Sequence, residues 1–549
     1  MSNNSYFFEG IKNASHSGMH GMITKDGYVH LVYGTKNNKF PKDKVNFCDS
    51  DYEIEFDGCI MNSSQLLEDN KIQSIKELLI HFWETYGEKM IKRIKGIYSL
   101  VIWDKKKQQL FISNDWLSKR DLYYAVFDDK VYYATSYFTI LNETKKQKEC
   151  LTISRDAAKK MIDLGSLSQQ QTYIEEISYL AAFEYILVDF EKKQFLVDKI
   201  LPEERKNSCL ASEYIELFDN LFSNAVCLEY NKNEENGYKQ VMALSGGMDS
   251  RACLLVAIRE GFNQIDCFSY SQSKSIDAEV SLQLALDNGL NYFFYPLDSA
   301  NFVRHMYEAM VLNECQQSGV GSTGAIMISK LIDFDNMGII HTGLCGGELM
   351  GDLVELAGGK KEEILCRLLG KWNARYCSCN MERIRYNMRA CHNFSHMMLP
   401  NCEVMSPFLD EDVAEFILSI PADMLVRRTF YRNWMMKYVP NQYTTTYYQG
   451  PISISPTKEL IIKAKQRLSK RIKGMSKNEM NPFDYWVTSI PQLKCALEHK
   501  FHEEIEYLEN MEGMQELVQY IESEWNKGGL KKCYILTCIQ ALKDATIKF

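Results

Sequence analysis

No run of about 18 apolar residues occurs in the 549-residue sequence, so no segment reads as a helix that spans a bilayer. A basic excess is missing too. The 63 Lys+Arg stand against 72 Asp+Glu, a formal charge of −9, which argues against nucleic acid as the main partner because phosphate binding needs a basic surface. There are 17 cysteines but no CxxC, so neither a zinc ribbon nor a thioredoxin-like dithiol is indicated, and Cys377 with Cys379 is the only tight pair. The ten histidines show no HExxH or other ligand spacing, and hydrogen-bonded structural roles are expected for most of them, among them His341, His392 and His396. Internal repeats and low-complexity tracts are absent. The opening MSNNSYFFEG lacks a basic segment followed by an apolar one, and a cytoplasmic protein with reduced, mostly buried thiols is expected.

What is present is the composition of an ordinary globular protein, 46% hydrophobic and 25% charged, at a length that suits roughly two to four domains. Residues 1–200 read as β-rich, with strands expected at Tyr28 to Tyr33, Tyr52 to Phe56, Tyr98 to Trp103, Leu110 to Ser113 and Val131 to Thr135. One helix, about Ile75 to Ile94, interrupts them. The polar stretch Pro202 to Ser208 marks a linker, placed at 201–212 between a domain at 1–200 and another at 213–549. Beyond it, short apolar strands (Val241 to Leu244, Ile265 to Tyr270, Tyr292 to Tyr295, Ile339 to Thr342) alternate with long helices, the pattern of a parallel, doubly wound sheet. From about Glu362 the chain reads as almost wholly helical.

The segment that carries chemistry is an apolar strand, Val241 to Leu244, running into Ser245-Gly246-Gly247-Met248-Asp249-Ser250 and then into a helix, Ala252 to Glu260. Two glycines let the backbone approach an anion, while Ser245, Ser250 and successive N–H groups at a helix start cradle phosphates. Asp249 is placed to hold the Mg²⁺ that accompanies them. The GxxxxGK[ST] pattern is absent.

SGGxDS is similar to the pyrophosphate-binding loop of the ATP pyrophosphatases, and further segments narrow the resemblance. His341 to Asp352 (HTGLCGGELMGD) resembles the SGEGSDELFGGY loop of glutamine-dependent asparagine synthetase, and Ser406 to Asp410 (SPFLD), followed by Phe416 to Pro421, resembles its RxPFLD helix start. Asp277 to Gly289 looks like the family's aspartate, helix and glycine after the second strand, whose end holds Ser269. In the first half, Phe56 to Asn62 (FDGCIMN) looks like FNGEIYN, Ile94 to Asp104 like LxGxFAxAIWD, and Asn114 to Tyr124 like RDxxGxKPLYY. The resemblance covers about residues 20–460 in the family's order. It implies an α+β N-terminal nucleophile-type sandwich, and an α/β ATP-pyrophosphatase domain with a helical C-terminal lobe. It also implies an AMP-forming ligase that uses ATP and Mg²⁺ to adenylate a carboxylate. Leu244, Ser245, Gly246, Gly247, Asp249, Ser250, Ser269 and Gly343 would bind the nucleotide, Asp249 and Asp352 the metal, and Glu348 and Tyr448 would serve catalysis.

The sequence departs from that family at several points. A cysteine opens the mature family chain, whereas Ser2 stands at position 2 here and Cys48 is the first cysteine. Asp57 replaces the asparagine of NGEIYN, and Ile75 falls where an aspartate would bind the substrate's amine. Gly347 occupies the place of the second metal-binding aspartate, leaving Glu348 and Asp352 nearby. Tyr448 takes the place of a charge-stabilising lysine, for which Lys437 or Lys458 would substitute. The expected activity is therefore amide formation with ammonia, as in asparagine biosynthesis, the glutaminase half being inactive. A lasso-peptide or β-lactam-type cyclase that uses a peptide amine, and a non-catalytic nucleotide-binding pseudoenzyme, remain alternatives. The expected partners are a small-molecule or peptide carboxylate with its amine, and a second copy of the chain or a precursor peptide. Lys458 to Lys477 carries eight basic residues beside a single acid, Glu459. Its apolar residues recur every fourth position, giving a basic helix with one apolar stripe. Gly319 to Gly324 reads as a pocket loop.

Overall fold

The computed structural model describes residues 18–24, 27–167, 170–203, 211–320, 323–352, 389, 392–425, 428–440 and 480–546. Ser2, Tyr448, Lys458, the Cys377/Cys379 pair, the basic stretch 458–477 and most of the expected linker lie outside the described residues.

In the first 200 residues, two antiparallel sheets lie face to face. One has the order β2 (Val29–Val32), β1 (His20–Thr24), β8 (Lys130–Ala134), β7 (Tyr123–Val126), β9 (Ile177–Tyr179). The other runs β11 (Gln194–Lys199), β10 (Glu184–Asp189), β6 (Gln109–Asn114), β5 (Gly96–Asp104), β4 (Tyr52–Ile60), β3 (Val45–Cys48). The two-residue period of β5 explains the layering. Val101 joins Ile23, Ile112, Tyr133 and Ile186 between the sheets, whereas Leu100 and Ile102 face the other way. There they meet Leu78, Leu79, Phe82 and Trp83 of helix α2 (Ile75–Tyr86), which follows α1 (Ser63–Asn70). On the far side of the first sheet, Tyr123, Tyr132 and Ala134 pack on α3 (Tyr137–Lys146) and α4 (Arg155–Leu164). The order helix, sheet, sheet, helix is the expected sandwich.

Helix α2 stops earlier than its apolar spacing suggests. Gly87 takes φ 56°, outside the helical region, and the chain continues as a 3₁₀ turn to Lys92 rather than as one helix to Ile94. Six further strands are not among those expected: β1, β3, β7 and β9 are three to five residues long, while β10 and β11 have six each, β10 mostly buried and β11 largely exposed.

The second half holds five parallel strands in the order β14 (Asn291–Pro296), β13 (Ile265–Ser271), β12 (Lys239–Ala243), β15 (Met337–His341), β16 (Glu403–Met405). Helices α5 (Ala211–Glu235), α6 (Met248–Arg259), α7 (Ile276–Asp287), α8 (Met306–Leu312) and α9 (Thr323–Leu331) alternate with them. Strand β16 corrects the reading of an all-helical region beyond 362: it is three residues long and opens on an acid, so no apolar run announces it. Sheet order reverses direction between β12 and β15, because the chain runs outward through β13 and β14 before returning to the other side of β12.

The helices at 483–489, 491–509, 515–525 and 529–546 do not stand apart as a lobe of the second half. Trp486, Leu497, Ile521 and Leu536 share one apolar cluster with Tyr137, Ala157 and Met161 of the first. Among the described residues no helix is long and apolar enough to cross a membrane, and the cysteines are free thiols.

Candidate nucleotide site

Beyond the carboxyl ends of β12, β13 and β15 opens a cavity of about 300 Å³. Open parallel sheets bind ligands at such a point, where the strand order reverses and the flanking loops diverge. Leu244, Ser245, Gly247, Asp249 and Ser250 line it from the segment after β12, Phe268, Ser269 and Tyr270 from β13, and Thr342, Gly343 and Leu344 from the segment after β15. Phe394, Met480 and Asn481 close it. Seven of the eight residues expected to bind the nucleotide thus meet around one space.

The eighth, Gly246, sits behind the wall. A side chain there would press on Asp277 and Ile276: a Cβ would lie 2.9 Å from the Asp277 Cα. Helix α6 starts at Met248, four residues before the expected Ala252, so Asp249 and Ser250 belong to its first turn. Its cap residue is Gly247, which has no side chain to satisfy the first-turn amides. Gly247, Asp249 and Ser250 place the start of α6, the positive end of its dipole, at the cavity wall, where an anion would be favoured.

Hydrogen bonds hold the loop. Ser245 and Ser250 share a bond of 2.9 Å between their hydroxyls; the Ser250 hydroxyl donates to the Ser245 carbonyl at 3.1 Å, and the Gly247 amide donates to Ser245 Oγ at 3.2 Å. From beneath, the buried Arg251 guanidinium donates to the Gly246 carbonyl at 2.9 Å, and the Gly246 amide donates to Asp277 Oδ1 at 3.2 Å. Asp277 and Arg251 therefore fix both ends of the Gly246 peptide. Arg251 follows the motif directly, but only its burial reveals the role.

The loop after β15 wraps Asp249. The Gly347 amide donates to Asp249 Oδ2 at 3.1 Å. A Cβ on Gly343 would lie 2.5 Å from the Asp249 carbonyl carbon, and one on Gly346 would lie 2.8 Å from the Asp249 Cγ. At Gly343 two backbones approach too closely for any side chain, and at Gly346 the loop presses on the Asp249 side chain and the Phe408 ring, so a side chain there would displace the carboxylate or the ring. Glu348 opens a short π-helical turn, Glu348–Asp352, and does not line the cavity; the Asp352 side chain lies outside the described residues. Lys437 sits exposed over the ring of Tyr438, away from the cavity. His341 has the structural role expected of it. It stacks on Tyr230 at 3.7 Å and lies 3.2 Å from Glu229, and burial pushes its pKa down to about 3 while pushing Glu229 up, each toward its neutral form.

Burial pushes the Asp277 carboxyl up to about 6, against the pull of the Gly246 N–H, and its Oδ2 has no partner among the described residues. The folded state therefore prefers the protonated acid. Stability contributed here is full below the unfolded value near 3.8 and is lost as pH rises through about 6. Asp277→Asn, which still accepts from Gly246, is expected to be more stable than wild type by roughly 2–3 kcal/mol at pH 7 and no more stable at pH 3.5. Urea unfolding at the two pH values measures the difference.

The two halves meet through buried charge. Lys119 Nζ lies 2.6 Å from Glu411, Arg120 Nη2 lies 2.8 Å from Glu403, and Lys95 Nζ lies 3.1 Å from Asp410.

Residues 45–198 match the family described as Glutamine amidotransferase domain. Over 227 residues the chain is 24% identical to glutamine-hydrolyzing asparagine synthetase 1 of Bacillus subtilis (strain 168), covering 36% of this chain and 35% of that one. Over 365 residues it is 24% identical to a Methanocaldococcus jannaschii protein named for the same enzyme, covering 64% of this chain and 60% of that one. The chain thus spans less than two thirds of the length of either relative. The solved structure of glutamine phosphoribosylpyrophosphate amidotransferase from B. subtilis, complexed with ADP and GMP, superposes with a TM-score of 0.22 and 12% identity over 51% of this chain and 85% of that one.

Proposed function

The chain belongs to an asparagine synthetase-like family, and from that premise we propose that it is an ATP-dependent carbon–nitrogen ligase which adenylates a carboxylate. The observation that carries the proposal is the SGGMDS loop at the reversal point of a parallel sheet, where it opens a helix capped by a glycine and meets Gly343 of the facing loop backbone to backbone.

In this reading a carboxylate oxygen attacks the α-phosphorus of ATP, and the bond to the bridging oxygen breaks. Pyrophosphate leaves with the electron pair. The Ser245 and Ser250 hydroxyls and the Gly247 amide turn from one another to the departing phosphates, exchanging internal hydrogen bonds for charge-assisted ones. Asp249 would hold Mg²⁺, which neutralises charge on the phosphates. Phe268, Tyr270, Phe394 and Leu344 supply flat apolar surface for the base. An amine held nearby attacks the acyl carbon, loses its proton and expels AMP.

The amine is ammonia from solution rather than from glutamine. Asp57, in place of an asparagine, is 2% exposed and lies 2.6 Å from Lys44, and it accepts from the Lys36 amide at 3.2 Å. A carboxylate so held offers no N–H to a substrate. Ile75 is buried in the core at the start of α2. Purified protein is expected to release no ammonia from glutamine above background, measured by coupled glutamate dehydrogenase, while ammonium salts support turnover.

The reaction class is tested by ³¹P NMR of ATP·Mg²⁺ incubated with aspartate and ammonia, then with peptides. AMP and pyrophosphate are the expected products. ADP and phosphate would refute the adenylating mechanism, and nucleotide binding without turnover on any substrate would refute the ligase.

A further inference from the structure

We propose that Asp121, His392 and His396 form a binding site for a divalent transition-metal ion of the zinc class, at the junction of the two halves and separate from the Mg²⁺ of the nucleotide site. His392 and His396 are four residues apart on the helical segment 392–398 and so project from one face, a spacing that the sequence reading passed over. Asp121 meets them from the other half of the chain. Its Oδ1 lies 3.1 Å from His392 Nδ1 and its Oδ2 lies 2.7 Å from His396 Nε2. One ligand atom from each of the three residues falls within 4.8 Å of the others. Ligands about 2.0–2.2 Å from a single ion stand roughly 3.3–3.6 Å apart, so an ion would part the two carboxylate–imidazole contacts by a few tenths of an ångström to about one, within reach of side-chain rotation.

The second observation is unsatisfied polarity. His392 Nε2 and His396 Nδ1 are buried and have no hydrogen-bond partner among the described residues, and the His392 side chain is 6% exposed. One carboxylate serves only one nitrogen of each ring, so every protonation state leaves two buried nitrogens unmet. Both histidines also line a cavity of about 290 Å³, which has room for water on an open coordination position and on the remaining ring nitrogens. Two imidazoles and one carboxylate suit zinc, cobalt or iron rather than magnesium, which prefers oxygen. The RDxxGxKPLYY pattern has proline at the position of Asp121, so the resemblance does not require this acid.

Phe394, between the two histidines in sequence, lines the nucleotide cavity, so an ion here would also steady one wall of that site. The metal site itself does not depend on the ligase reading, and its test uses no nucleotide. Full-length protein stripped with a chelator is titrated with Co²⁺, followed by visible absorption, and then with Zn²⁺ in competition with a chromophoric chelator in excess Mg²⁺. One equivalent of each ion is expected to bind, with d–d bands for Co²⁺. His392→Gln and His396→Gln should each weaken Zn²⁺ binding tenfold or more, and so should Asp121→Asn. The Gln variants keep a donor toward Asp121, so they report on the ion even if the Asp121 variant does not fold. Absence of saturable binding, or affinity unchanged in both Gln variants, would overturn the proposal.

Discussion

Asp249→Ala is expected to lower ATP turnover by roughly 10²–10³-fold, the scale of losing one preorganised electrostatic contact to developing charge. Asp249 stands in the first turn of α6, lines the nucleotide cavity and accepts the Gly347 amide at 3.1 Å. Alanine removes both the charge and that hydrogen bond, so a loss of activity alone would not say which mattered. Asp249→Asn separates them. Its amide oxygen still accepts from Gly347 while the charge is gone, and Gly343 and Gly346 still close over a side chain of the same size. Comparable turnover loss in both variants, with the asparagine protein melting like wild type, is the expected result of steady-state assays and thermal unfolding. An active Asp249→Asn would remove the carboxylate from the chemistry.

Glu411→Ala is expected to destabilise the protein by roughly 2–3 kcal/mol, because it removes the nearer of two carboxylates facing the buried Lys119 ammonium and leaves only Asp115, 3.9 Å away. Both side chains are 3% exposed and lie 2.6 Å apart; Lys119 also donates to the Leu409 carbonyl at 3.1 Å, which cannot neutralise it. The cost falls on the junction of the two halves, since Lys119 follows β6 and Glu411 opens the helix Glu411–Ser419. Replacing both residues with apolar ones of similar volume, Lys119→Met with Glu411→Leu, is expected to regain part of the loss in denaturant unfolding, because the ammonium and its nearest carboxylate are both gone while Asp115 keeps the Lys119 and Arg120 backbone N–H donors. A double variant as unstable as Glu411→Ala would show that the contribution lies in packing rather than charge.

The sequence disclosed most about the parallel sheet. Buried parallel strands read as continuous apolar runs, so β12, β13 and β15 are visible within one or two residues, and the edge strand β14, though partly exposed, is visible through its aromatic run Tyr292 to Tyr295. The short strand β16 was hidden by Glu403, an acid that is buried only because Arg120 and Asn37 reach it from the other half of the chain. The start of α6 was misread for a local reason: two glycines suggest a loop, yet Gly247 is an extended cap and the helix begins at the next residue. Within the site, residues contiguous with the motif were legible. Phe394, Met480 and Asn481 were not, since nothing in their local sequence encodes a wall assembled from distant segments. The same holds for Asp121, which lies 271 residues from His392; only the i,i+4 spacing of the histidines could have hinted at it.

The most direct measurement of the central claim is isotope exchange between labelled pyrophosphate and ATP, in the presence of Mg²⁺ and the carboxylate substrate but without any amine. In the proposed reaction adenylation at the SGGMDS loop would be a reversible step of its own, so label is predicted to enter ATP, to require the carboxylate, and to vanish in Asp249→Asn. Amide formation accompanied by no exchange, with ADP as the product, would contradict the account.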